Sequence, residues 1–433
     1  MSLFGSKGRR HIDGHKELTK HQEIISLVHG EKAPKEVYFP TMSPNGKPIT
    51  YTVAEGDSVK VGTRIGTRTD FYVPIYSSVS GTVKGQKMAY SPQVGRPIQH
   101  LVIENDGQYV EEEVLKTVTL ENSKEEIFEA IKEAGLVGMG GAGFPTYVKY
   151  NNPKNIETLL VNAVECEPFL TTDFVSMQQK AETLVLGCEY LMKASGANNT
   201  IIAIKVHKEE ARDAVLAVLD GHPNVSVVEV PDQYPMGWER TLIKQVFKQE
   251  YDRLPSEIGV VVNNVQTVIE LGRTLSTGKT VSTRLVTVSG DGINNPTNVL
   301  IPIGTLASEV IAACGGYVEG DINLIPGGPM CGKAVRQDNF PLLIADGALT
   351  VLKFVAIKAD PCLRCGMCSM SCPASLQPVE LKIAFERKDT DRMAKLNILS
   401  CVECGMCSYV CPSKIDVTDT IKKAKLIYRL KNK

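Results

Sequence analysis

Cys362-Leu363-Arg364-Cys365-Gly366-Met367-Cys368-Ser369-Met370-Ser371-Cys372-Pro373 and, further on, Cys401-Val402-Glu403-Cys404-Gly405-Met406-Cys407-Ser408-Tyr409-Val410-Cys411-Pro412 carry one spacing twice, C-x2-C-x2-C-x3-C-P. This is the bacterial two-cluster ferredoxin run. Three close cysteines wrap one corner of a [4Fe–4S] cube, and the fourth, followed by proline, ligates the other cube. The pattern predicts Cys362, Cys365, Cys368 and Cys411 on one cluster and Cys401, Cys404, Cys407 and Cys372 on the other. The alternatives are two zinc sites or disulfides. Zinc prefers paired C-x2-C knuckles, whereas each run here is a four-cysteine set closed by Cys-Pro. Everything upstream must then supply electrons to this pair or take them from it.

A chain of 433 residues is too long for one core, so two to four domains are expected. Hydrophobic and charged fractions are ordinary for a soluble globular protein. The formal net charge of -1 gives no case for nucleic-acid binding. The opening MSLFGSKGRRHIDG has no apolar core and does not read as a signal peptide. No apolar run approaches a membrane span. Eight of the 12 cysteines fall in the two runs, which fits a reducing cytoplasm. Cys166, Cys188, Cys314 and Cys331 are scattered and read as buried thiols.

In chain order, residues 1–35 are polar and rich in His and Lys, with His11, His15, His21 and His29 too loosely spaced for a metal site. They read as a mobile or partner-covered arm. Residues 36–120 read as all-β, in short alternating runs cut by Gly and Pro. The phrase VAEGDSVKVGTRIG…PIYSSVSGTV resembles a lipoyl or biotinyl carrier, a small barrel-sandwich. Carriers present a modified lysine on a hairpin tip after Asp. Here Phe71 follows Asp70, so the reading is an unmodified docking module.

Ser123 and Glu126 match a capping box, and Ile127, Phe128, Ile131 and Leu136 give that helix an apolar face. The helix runs into Gly138-Met139-Gly140-Gly141-Ala142-Gly143-Phe144-Pro145-Thr146. The match to G-x-G-x-x-G is weak, because a Rossmann fingerprint needs a strand before it and a helix starting within it. Bare backbone N–H groups can nevertheless approach a phosphate or a flat ring closely. A tight structural turn is the other reading. Strands near 158–164, 200–206, 225–230 and 258–262 alternate with helical patterns, which predicts an α/β sheet with helices on both faces. Ligands bind such sheets beyond the carboxyl ends of the strands. Asn162, Glu165 and Glu167 stand there after the first strand, and Asn263, Asn264, Gln266 and Thr267 after the fourth. Residues 284–340 read as a small α/β module, 376–399 as one or two helices, and the basic stretch from Lys422 as a solvated helix end that could face an anionic membrane surface or an acidic partner.

GxGGAGFPT, NAxExEP and NNVxT, in this order and ahead of an iron–sulfur segment, resemble the NADH-binding flavoprotein subunit of respiratory complex I. With the carrier-like front and the dicluster tail, the chain resembles the C component of the Rnf electron-transport complex over roughly 36–415. The resemblance implies a multidomain α/β chain: a polar arm (1–35), a lipoyl-like barrel-sandwich (36–120), an FMN- and NADH-binding α/β domain (121–282), a β-grasp domain (283–345) and a ferredoxin-type domain with a basic tail (346–433). It implies FMN contacts at Gly138, Gly140, Gly141, Gly143, Lys149, Asn162, Glu165, Asn263, Asn264 and Thr267. It implies Phe144 stacking on nicotinamide and Glu239 near the nucleotide. The implied work is electron transfer between NADH, FMN and two [4Fe–4S] clusters, with no catalytic acid or base. It places the chain on the cytoplasmic side of the membrane as a peripheral member, with the other Rnf proteins as partners and ferredoxin reached indirectly. Met139 and Trp238 stand where complex I has Arg and Glu, and the opening histidine-proline motif of typical Rnf proteins of this type is missing. A soluble relative feeding a cobalamin or proline reductase is therefore the second reading.

Overall fold

The computed structural model describes Ile12, residues 14–141 and residues 143–432. The arm carries the short strand β1 (Ile25–Ser26). The front module follows with β2 (Glu36–Pro40), β3 (Ile49–Tyr51), β4 (Ser58–Val59), β5 (Arg64–Arg68), β6 (Pro74–Tyr76), β7 (Gly81–Ser91) and β8 (Arg96–Asn105). They form two antiparallel sheets, β2-β8-β7-β4 and β3-β5-β6. Val37 and Phe39 are buried on β2 while Tyr38 between them is partly exposed, the period-2 alternation of a sheet with one covered face. With Ile65, Val83 and Ile103 they make the core of the barrel-sandwich.

Helix α1 (Lys124–Glu133) starts where the sequence places it: Ser123 Oγ accepts from the Glu126 N–H, and the Glu126 carboxylate accepts from the Ser123 N–H. Next come β9 (Thr158–Ala163), α2 (Thr172–Gln179), α3 (Ala181–Ser195), β10 (Asn199–Lys205), α4 (Glu209–Leu216), β11 (Val225–Val230), α5 (Glu239–Phe247), β12 (Val260–Asn264) and α6 (Val265–Thr277). The four strands are parallel in the order β11-β10-β9-β12. On β9, Leu159 and Val161 face the core shared with α1, α3 and α6, while Leu160 faces the core under α5. Burial on both faces explains why these strands read as continuous apolar runs. The chain winds from β9 out to β11 and then returns to the far side of β9 with β12. The crevice between β9 and β12 is therefore the topological switch point, where open α/β sheets take their ligands.

The third module holds β13 (Thr283–Ser289), β14 (Thr297–Pro302), α7 (Ala307–Ala313), β15 (Ile322–Pro326) and β16 (Ala348–Lys353), in the sheet order β1-β14-β13-β16-β15. Two expectations change here. β16 pairs in parallel with β13 at the centre of this sheet, so the β-grasp module runs past residue 345. The arm is covered by its own chain: β1 pairs with β14, and Leu27, 1% exposed, joins this core. His11 lies outside the described residues.

The last module contains α8 (Met367–Met370), α9 (Pro378–Glu386), α10 (Thr390–Lys395), α11 (Met406–Tyr409) and α12 (Val417–Lys431) around Leu381, Met393, Ile398 and Ile421. The two cysteine runs repeat in backbone as well as in sequence. Arg364, Gly366 and Ser375 have positive φ, and so do their counterparts Glu403, Gly405 and Lys414.

Candidate functional site

The glycine loop closes on itself at the edge of the switch point. The Gly138 N–H donates to the Phe144 carbonyl at 2.8 Å, and the Thr146 N–H donates to the Leu136 carbonyl at 2.9 Å. Between these anchors Gly140, Gly141 and Phe144 are exposed. The glycines serve different ends. A Cβ on Gly140 would sit 2.5 Å from the Asn264 amide nitrogen, so this glycine lets the loop lie on the end of β12. A Cβ on Gly141 would meet nothing within 4 Å. No packing demands a glycine there, and the bare backbone leaves room for a bound group. Asn263 and Asn264 are the last two residues of β12, not the loop after it.

Behind the loop lies a buried polar network. Thr267 Oγ1 accepts from the Met139 N–H at 3.0 Å, and the Arg284 guanidinium donates to the Met139 carbonyl at 2.8 Å and to the Asp346 carbonyl at 3.0 Å. Asp173 accepts from Gln266 at 2.6 Å and from Asn264 at 3.1 Å. Burial, with the nearby Glu165 charge, pushes the Asp173 carboxyl up to about 6. Glu165 accepts from the Asp173 N–H at 2.7 Å and from Lys208 at 3.0 Å, with the Lys16 ammonium 3.8 Å away. Burial opposes the Glu165 charge, but Lys208 and Lys16 outweigh it and hold the carboxyl below its usual range. Lys16 also donates to the carbonyls of Glu165, Glu167 and Leu170, and His15 stacks on Phe169 at 4.9 Å.

The residues singled out by sequence therefore divide. Gly138, Gly140, Gly141, Gly143 and Phe144 belong to the loop itself. Lys149 donates to the Val262 carbonyl at 2.6 Å; burial lowers its affinity for a proton and the Glu239 charge partly restores it. Asn162 donates to the Gly237 carbonyl at 2.7 Å, and Glu239 accepts from the Tyr251 hydroxyl at 2.7 Å. Glu165, Thr267 and Asn263, which donates to the Tyr150 hydroxyl, are buried behind the loop and brace it instead of facing its open side.

The cysteines stand in two runs. Cys362, Cys365, Cys368 and Cys411 line one cavity of about 260 Å³, walled by Val379, Ile383, Ile415 and Val417. Burial pushes the thiols of Cys404 and Cys407 up, to about 12 and about 11, and raises that of Cys401; all three feel the charge of Cys372. No disulfide joins any of the 12 cysteines, and Cys331, expected to be buried, is exposed.

The second run abuts the sheet domain. The Tyr234 hydroxyl, at the end of a cis Tyr234–Pro235 segment, donates to the Cys404 carbonyl at 2.6 Å and lies 3.3 Å from Cys331 Sγ. Glu167 accepts from the N–H groups of Met330 at 3.1 Å and Cys331 at 2.9 Å, closing the same seam. The basic tail is not simply solvated. Lys425 donates to the Cys401 carbonyl at 2.7 Å and to Glu403 at 2.9 Å. Sequence reasoning missed Lys16, Asp173 and Arg284, since none sits in a spaced motif; Tyr234 opens the stretch 234–239, of which the resemblance singles out only Glu239.

A glycine loop at a switch point, joined by a buried seam to a double four-cysteine module, defines an iron–sulfur flavoprotein. Four protein-family models match: the RnfC barrel sandwich hybrid domain (5–108), the Nuo51 FMN-binding domain (131–273), the SLBB domain (285–334) and the 4Fe-4S dicluster domain (358–415). The C component of the proton-translocating ferredoxin:NAD(+) oxidoreductase complex of Clostridium ljungdahlii is 36% identical over 409 residues, covering 91% of this chain and 87% of that one. Its Na(+)-translocating counterpart from Acetobacterium woodii is 34% identical, covering 91% and 90%. The cobalamin reductase PduS of Salmonella typhimurium is 36% identical over 284 residues, 62% of each chain. In fold, the chain is similar to a chain of an NAD+-reducing [NiFe]-hydrogenase in the air-oxidized state, with a TM-score of 0.52 and 19% identity over 72% of this chain and 62% of that one. The chain belongs to the RnfC family, the C components of Rnf-type ion-translocating oxidoreductase complexes. It is an oxidoreductase component with an FMN domain and a [4Fe–4S] dicluster domain. Among the described residues, no helix is long and apolar enough to cross a membrane.

Proposed function

We propose that the chain is the electron-input subunit of an Rnf-type complex, passing electrons between NADH, FMN and its two clusters from the cytoplasmic side of the membrane. Other subunits link it to ferredoxin. The observation that carries this reading is the seam at Tyr234, which joins the flavin-domain sheet directly to the backbone of Cys404. FMN, when bound, exchanges hydride pairs for the single electrons that iron–sulfur clusters carry. The chain's own residues bind and orient. Gly138, Gly140, Gly141 and Gly143 form the loop, with Gly141 offering open backbone, Lys149 a cation, and Asn162 and Asn264 amides. Phe144 and Glu239 face the nucleotide. Cys362, Cys365, Cys368 and Cys411 hold one cluster, and Cys401, Cys404, Cys407 and Cys372 hold the other. The likeness to a cobalamin reductase supports a second reading, a soluble adaptor without a membrane complex, but it spans less of both chains.

Gly141→Val tests the site. Its side chain projects into space that no protein atom fills. Fold and cluster signals should persist, while lost flavin hydrogen bonds, each about 1 kcal/mol and more to phosphate, weaken FMN by several orders of magnitude. NADH should no longer reduce the clusters, and dithionite still should. Stoichiometric FMN and NADH-driven cluster reduction in this variant would show that the loop is not the flavin site.

A further inference from the structure

The hairpin tip between β5 and β6, where a carrier would show its lysine, reaches the glycine loop of the next domain. The Phe71 and Phe144 rings meet edge to face, with centroids 5.7 Å apart and planes at 69°. The tip is rigidly held. Asp70 accepts from the Arg68 guanidinium at 3.0 and 2.6 Å and from Asn45 at 2.8 Å, and Thr69 donates to the Pro48 carbonyl at 2.6 Å. The hairpin is also seated on the turn that feeds the glycine loop. The hydroxyls of Tyr72 and Tyr76 donate to the carboxylate and carbonyl of Glu133, each at 2.6 Å. The Pro74 carbonyl lies where a Cβ on Gly135 would come within 2.5 Å, and Gly135 has φ +66. Two sequence-distant aromatics are thus fixed against each other on braced backbones. Phe144 nevertheless remains 43% exposed, with part of its ring open to a ligand.

We propose that Phe71 is a positioning residue for the nicotinamide ring: it holds Phe144 in the orientation that stacks on it. The barrel-sandwich domain then contributes to NADH recognition through the spot where the lipoyl and biotinyl carriers it resembles present a modified lysine. This inference rests on the reading that sets Phe144 against NADH. Phe71 touches no reacting atom. It acts by removing the rotamer freedom that an exposed Phe144 would otherwise lose on binding.

The test uses the full chain with FMN and both clusters. Binding of NAD+ is compared with binding of ADP-ribose, which lacks the nicotinamide. An edge-to-face pair is worth enough that Phe71→Ala should weaken NAD+ about five-fold. ADP-ribose affinity, FMN content and iron content should stay unchanged, and Phe71→Tyr should restore NAD+ binding. If Phe71→Ala leaves NAD+ affinity intact while Phe144→Ala lowers it, the inference fails and the reading of Phe144 stands. If Phe144→Ala also has no effect, the reading of Phe144 fails with it. Equal weakening of both ligands, or loss of FMN, would show a merely structural contact and overturn the proposal.

Discussion

The two cysteine runs share spacing, backbone conformation and short helices, yet they occupy different environments. Cys365 is exposed and its counterpart Cys404 is 7% exposed. Leu363 is 70% exposed, whereas Val402 packs with Tyr234, Trp238 and Met330. A Cβ on Gly366 would meet nothing within 4 Å, but one on Gly405 would sit 2.2 Å from the Met330 carbonyl oxygen. The repeat fixes what each run can hold. The surroundings decide that the second seat faces inward to the flavin domain and the first outward to solvent. Duplicated chemistry thus becomes directional through contacts outside the duplicated segment.

The largest expected effect breaks the series of carriers. Cys404→Ser should bring NADH-driven reduction of the remaining outer cluster down to background, because the inner seat lies at the seam. Cys365→Ser should spare NADH-driven reduction of the inner cluster. Electron paramagnetic resonance after NADH and after dithionite reads both, and equal behaviour of the two variants would erase the inner–outer distinction. The crossed sets also predict that Cys411→Ser damages the outer cluster and Cys372→Ser the inner.

Next in size is a pair of glycine substitutions. Both glycines have φ 77, so alanine should cost about 1–2 kcal/mol at either from backbone strain. Gly405→Ala adds a collision with backbone, for a total of about 3 kcal/mol or more. Chemical unfolding of the two variants measures the gap. A smaller contrast is expected in iron release. A chelator should strip the outer seat first, leaving about half the iron, and Leu363→Asp should leave release from the inner seat unchanged.

The smallest effect concerns the arm that grips residues 165–170, whose Cys166 packs beside the inner seat. Burial pulls the Lys16 ammonium from 10.5 down to about 8, against the opposing pull of Glu165. Between those values the unfolded chain binds the proton that the folded chain has lost, so stability rises with pH. From pH 8 to 9.5 the intact protein should gain up to about 1 kcal/mol per pH unit relative to Lys16→Met, followed by denaturation midpoints.

Much of this was legible because spacing is chemistry. The eight cysteines announce a [4Fe–4S] dicluster domain, and the polar clusters after the first and fourth strands of the sheet fall at the switch point. Gly141 was legible as a glycine but not as an empty place, since only packing separates it from Gly140. Glu165 illustrates the limit. Its motif marks a site residue, yet Lys16 and Lys208, remote in sequence, turn its carboxylate inward. Arg284 left no trace for the same reason: its partner, Met139, lies far away along the chain. β16 escaped because its partner strand β13 lies far back along the chain, and the arm because β1 is only two residues long.

The pairing of β1 with β14 bears on how the chain is made. Ile25 faces Val299 in that ladder, and Leu27 enters a core whose other members are all encoded much later. At roughly 5–20 residues per second of synthesis, the arm waits on the order of tens of seconds for its partner strand to leave the ribosome. Over that interval Leu27 has no core to enter, although the front module already has its own. An early-translated segment is thus among the last to be locked, and the β-grasp sheet gains its outer strand only when the nascent chain closes back on the arm.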